Sequence, residues 1–85
     1  MTVTVQGRTV SYIDTDPINE NNRPTVLFLH GWGAPADTYR LMLDHLGTYC
    51  RVVAPDLPGF GGSAEPETPW CVDDYVKWTV DFAAT

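Results

Sequence analysis

Cysteine is scarce, with Cys50 and Cys71 the only two in 85 residues. Two thiols in this context make neither a disulfide framework nor a four-ligand zinc site, so both are read as plain reduced side chains. Bases are scarce as well: five Lys and Arg stand against eleven Asp and Glu, a net charge of -6, and the five do not cluster. That leaves no electrostatic footprint for nucleic acid or for an anionic membrane surface. No apolar run approaches the roughly 20 residues that span a bilayer. The opening Met1-Thr2-Val3-Thr4-Val5 also lacks the basic region and apolar stretch of a signal peptide. The expected setting is therefore cytoplasmic and the expected partner a small-molecule substrate. No cofactor and no metal is expected, because His30 and His45 stand far apart with no surrounding set of ligands.

What is present is a chain built to pack, with 44% apolar and 19% charged residues, the balance of a globular protein. Its length allows one domain, residues 1–85, with a small core. Thr2 to Val5 alternates β-branched residues, Gln6-Gly7 supplies a turn dipeptide, and Thr9 to Asp14 alternates again, which reads as an antiparallel hairpin. Asp14 to Pro24 is polar and turn-rich, a surface loop tolerant of length changes. Thr25 to Leu29 is continuously apolar, so it is expected to be a strand covered on both faces, away from a sheet edge.

Pro35 and Asp37 mark a helix start, and Tyr39, Met42, Leu43 and Leu46 recur at helical spacing, giving a helix over Ala36 to Leu46 that ends at Gly47. Arg51 to Asp56 is a second buried strand closed by Pro55. Strand, helix and strand in this span make a βαβ unit. After a proline-punctuated loop from Ala64 to Pro69, the residues Val72, Tyr75, Val76, Thr79, Phe82 and Ala83 outline the apolar face of a second helix. Asp73 and Asp74 lie in its first turn, where the helix dipole favours acids. Trp70, Tyr75, Trp78 and Phe82 are read as core rather than as a pocket lining.

Two glycine-rich turns carry the chemistry. The first strand of the βαβ unit runs into His30-Gly31-Trp32-Gly33, and the second ends in Asp56-Leu57-Pro58-Gly59-Phe60-Gly61-Gly62-Ser63. In an open α/β sheet, ligands sit at the carboxyl ends of strands. A sharp turn there can aim the N–H groups of Trp32 or Gly33 outward, toward a developing oxyanion. His30 and Asp56 read as groups that order these turns by hydrogen bonding, and His45 has no assigned role.

The hairpin and the two motif-bearing strands, in this order and spacing, resemble the amino-terminal part of the α/β-hydrolase superfamily. The resemblance covers the whole chain and implies a partial α/β-hydrolase sheet: an antiparallel β-hairpin plus a βαβ unit and a following helix. It implies that Trp32 gives a backbone N–H to the oxyanion hole and that its indole walls the pocket. It also implies that His30, Gly31, Gly33, Asp56, Gly59, Gly61 and Ser63 scaffold the site. The family's nucleophile elbow, acid and histidine come later in sequence, so no catalytic residue is expected within this chain. Gly61-Gly62-Ser63-Ala64-Glu65 imitates the elbow but lacks its second glycine, and no strand feeds it.

The resemblance implies a parent that hydrolyses an ester or a related acyl, epoxide or carbon–halogen bond, with a serine or an aspartate nucleophile, and a chain inactive by itself. The alternative is a non-catalytic binding or assembly module that self-associates or pairs through the unpaired strand edge Thr25–Leu29.

Overall fold

The computed structural model describes residues 1–31 and 36–85. Strand β1 (Thr2–Val5) turns back into β2 (Arg8–Asp14), and the register pairs Val3 with Val10 and Val5 with Arg8. Gln6 and Gly7 both have positive φ, 52° and 75°, the backbone of a two-residue hairpin turn whose twist matches the strands. Gly7 takes that conformation without cost; Gln6 tolerates it.

The later strands add to the same sheet. β3 (Thr25–Leu27) is followed by a 3₁₀ turn (Ala36–Tyr39), helix α1 (Arg40–Leu46) and strand β4 (Arg51–Pro55). The sheet order is β1-β2-β4-β3, with β4 antiparallel to β2 and parallel to β3. Helix α2 (Val72–Ala83) closes the described order. This is the expected α/β arrangement of hairpin, βαβ unit and following helix. The helix expected over Ala36 to Leu46 is present, but its first turn is 3₁₀.

Alternation along the strands feeds two cores, one on each face. Val52 and Ala54 of β4 turn toward Ala36, Leu43 and Cys50, while Val5 and Val10 of the hairpin meet Trp78 and Phe82 of α2. Trp78 is fully buried and stacks on Phe82 with ring centroids 5.3 Å apart.

Two expectations are corrected. The strand expected to be covered on both faces lies at the sheet edge, and Val26, Leu27 and Leu29 are exposed. The reason is where α2 sits: it packs on the hairpin and leaves β3 bare on that face. The apolar face of α2 is also displaced. Val72 and Val76, expected on the apolar face, are 77% and 55% exposed, whereas Trp78 and Phe82, read as core, are buried. Apolar side chains occupy roughly half of the helix circumference at 3.6 residues per turn. The sheet takes the aromatic half, and Val72, Val76 and Val80 are left as a stripe facing outward. Among the described residues, no helix is long and apolar enough to cross a membrane.

Candidate functional site

The two glycine turns lie together at the carboxyl ends of the parallel strands β3 and β4. Pairing brings Phe28 N–H to the Val53 carbonyl at 2.9 Å, so the chain leaving β3 runs beside the chain leaving β4. His30 ends the first run and is buried, 5% exposed. Its Nε2 accepts the N–H of Leu57 at 2.9 Å, and Nδ1 lies 2.7 Å from the carbonyl of Gly31. A ring nitrogen that accepts an amide N–H carries no proton, so the ring is the neutral tautomer with its proton on Nδ1, donated to Gly31. Phe60 covers the ring edge to face at 5.3 Å.

Asp56 follows β4 and is also buried. Its carboxylate accepts two backbone donors, Ala36 N–H on Oδ1 at 2.9 Å and Gly62 N–H on Oδ2 at 3.1 Å. Its own backbone is fastened to β2, because Asp56 N–H donates to the Ser11 carbonyl at 2.8 Å. Gly61 lets the turn close on this carboxylate: its φ is +52°, and a Cβ there would collide with Asp56. Gly59 likewise has positive φ, +87°.

Ser63 is buried with both hydroxyl functions in use. Oγ donates to the Asp56 carbonyl at 2.6 Å and accepts the Ser11 N–H at 3.0 Å. A serine whose only proton is given to a carbonyl is not presented to a base as a nucleophile would be. Beyond the turn, Tyr75 of α2 donates to the Pro58 carbonyl at 3.4 Å, and burial pushes its hydroxyl pKa upward.

The structure therefore brings together His30, Gly31, Asp56, Gly61 and Ser63, with Gly59 in the same turn. Trp32 and Gly33 lie outside the described residues. His45 stands apart, exposed on α1 and in edge contact with Tyr49 at 5.7 Å. Asp73 and Asp74 do not form an acid pair; Asp74 caps α2 by accepting the Cys71 N–H at 2.9 Å. That bond is the chief reason its carboxyl lies below the usual range. Sequence reasoning missed Ser11 and Ala36, whose backbone N–H groups complete the network. No local signal marks a backbone donor 52 residues from its acceptor, as Ser11 is from Ser63. Among the described residues, no group of three His, Cys, Asp or Glu is placed to hold a metal ion.

The sequence profile of the alpha/beta hydrolase family matches residues 26–85, a span that contains both turns. A haloalkane dehalogenase of Mesorhizobium japonicum is 32% identical over 76 residues, covering 89% of this chain and 23% of that protein. The biotin biosynthesis bifunctional protein BioHC of Saccharophagus degradans is 44% identical over 50 residues, 58% of this chain and 9% of that protein. Solved structures agree in shape. A membrane phospholipase A superposes with a TM-score of 0.86 at 32% identity, covering 99% of this chain and 26% of its own. A loop variant of a haloalkane dehalogenase from Bradyrhizobium elkanii gives 0.86 at 26% identity, over 99% of this chain and 27% of its own. The chain thus spans about a quarter or less of the length of these relatives. With the sheet order, the paired turns and the matched span in agreement, the chain belongs to the alpha/beta hydrolase family.

Proposed function

We propose that the chain is the amino-terminal part of a hydrolase that cleaves an ester or a related acyl, epoxide or carbon–halogen bond. In this reading Trp32 supplies the first oxyanion-hole N–H. The side chains of His30, Asp56 and Ser63, with Gly31, Gly33, Gly59 and Gly61, scaffold that donor. The nucleophile, acid and catalytic histidine belong to other parts of the enzyme, and its setting is the cytoplasm. The carrying observation is that His30 and Asp56 spend their polar atoms on backbone groups, joining the two turns that the family profile spans. Ser63, with its hydroxyl closed between Ser11 and Asp56, supports the absence of a nucleophile here.

Two experiments test the reading. The 85-residue chain, assayed on an activated acyl ester and on a haloalkane, is expected to show background turnover; activity lost in Ser63→Ala would overturn it. In a complete enzyme carrying this sequence, Trp32→Pro deletes one backbone donor and is expected to lower turnover about 100-fold or more. Unchanged turnover in a folded variant removes the role assigned to Trp32.

A second reading, an assembly module, is favoured by one specific feature. The free edge of β3 adjoins an apolar trough of about 290 Å³ between Leu29 and Leu57 on one side and Val72, Val76 and Val80 on the other. An unpaired apolar edge is a template for another strand. If the chain associates through it, sedimentation shows a discrete oligomer that Val26→Lys converts to monomer; a wild-type monomer at all concentrations rejects this reading.

A further inference from the structure

We infer that Asp56 and His30 are a pair of positioning residues that latch Gly31 and Ala36, the described residues flanking positions 32–35, onto one dipeptide, Asp56-Leu57. At the Gly31 end, the His30 ring bridges the Gly31 carbonyl at 2.7 Å and the Leu57 N–H at 2.9 Å. At the Ala36 end, the Ala36 N–H reaches Asp56 Oδ1 at 2.9 Å. The anchoring dipeptide is itself held: Asp56 N–H and C=O are tied to Ser11 and Ser63, and Asp56 Oδ2 holds Gly62. Both latching side chains are buried, His30 5% and Asp56 9% exposed, so water competes poorly for these bonds.

The geometry explains why these residue types stand here. Asp56 must accept from two N–H groups, one on each oxygen, and an asparagine amide offers only one acceptor oxygen. His30 must donate from one ring atom and accept at another across the ring, which a neutral imidazole does. The two anchors fix the described residues on either side, Gly31 and Ala36. A backbone donor stabilises charge in proportion to how firmly it is fixed before the charge develops. The functional meaning of the latch rests on the oxyanion reading of Trp32; the latch itself does not.

The test is heteronuclear NMR on the isotope-labelled 85-residue chain. In the wild type, His30 is expected to show a protonated Nδ1 and an accepting Nε2, and the Ala36 amide a scalar coupling across its bond to the Asp56 carboxyl carbon. In Asp56→Asn, amide exchange at Ala36 or Gly62 is expected to rise about 10- to 100-fold. The Trp32 and Gly33 amide resonances shift, while the β1–β2 amides stay protected. Val76→Ser, on the exposed face of α2, is the control: it touches neither latch nor the dipeptide they grip, and leaves the Trp32 and Gly33 resonances in place. Equal shifts in both variants, or none in Asp56→Asn, would reduce Asp56 to a structural residue and overturn the inference. Should Asp56→Asn fail to fold, the wild-type tautomer and coupling decide by themselves; the opposite tautomer or no coupling overturns it. A latch seen here with unchanged turnover for Trp32→Pro in a complete enzyme sinks the oxyanion reading alone.

Discussion

Arg51 and Asp14 meet through two contacts, Nη2 to Oδ2 at 2.6 Å and Nε to Oδ1 at 3.2 Å, joining the far ends of β2 and β4. The Asp14 side chain is only 4% exposed. The guanidinium holds its carboxyl below the usual range against the opposing effect of burial. Asp16 is lowered in the same way by Arg23, and Asp74 chiefly by the Cys71 N–H.

A pH dependence follows with a definite sign. A carboxylate whose folded pKa lies below its unfolded one contributes stability that is complete above the unfolded value, 3.8 for Asp14, and is lost as pH falls through the folded value. Stability is therefore expected to be level from neutrality to about pH 5 and to decline in more acid solution. Urea titrations followed by circular dichroism at stepped pH check this, and a midpoint unchanged down to pH 3 would contradict it. Asp14→Asn is expected to cost about 1.5–3 kcal/mol at neutral pH and to flatten part of the decline.

Gly61→Ala probes the turn at its tightest point. The substitution places a side chain at φ +52° and drives its Cβ into the Asp56 carboxylate. The left-handed backbone alone costs roughly 1–2 kcal/mol, and displacing Asp56 adds to that. A urea midpoint within error of wild type would show that the turn relaxes freely, against the close approach described.

The two faces of α2 should answer differently to truncation. Trp78→Ala empties the centre of the second core and is expected to cost about 3–5 kcal/mol, enough to unfold most of a chain this small. Val76→Ser on the exposed stripe is expected to stay within about 0.5 kcal/mol. Equal losses at the two positions would mean that the stripe is packed in solution.

Elements with a local cause were legible in the sequence. Gln6-Gly7 named its hairpin turn, and the apolar spacing of Tyr39, Leu43 and Leu46 named α1, because turn chemistry and periodicity act over a few residues. The exposure of β3 was not legible from its own residues: Val26 and Leu27 read as doubly covered, and coverage depends on what packs beside them. The face of α2 was legible in part: Trp78 and Phe82 read as core, but Val72 and Val76 did not read as exposed, since apolar residues surround half the helix and only the hairpin's Val5 and Val10 select the aromatic side. At the site, the turn after β4 was legible from its glycine spacing. The bonds from Ala36 to Asp56 and from Ser11 to Ser63 were not, because they arise from the register of distant segments. Cys71 as a helix cap was equally silent, standing where Ser, Thr, Asp or Asn is the usual signal.

Site-resolved amide hydrogen exchange on the 85-residue chain tests most directly whether these residues form a scaffold with its two turns bound together. Slow exchange is expected in β2 and β4, each paired on both sides, and at Ala36 and Leu57, whose donors are held by Asp56 and His30. Leu27, whose N–H alternates with the paired Phe28 and so faces the open edge, is expected to exchange fast. Protected strands with Ala36 and Leu57 exchanging as in an unfolded peptide would contradict the joined turns, and rapid exchange throughout would contradict the scaffold itself.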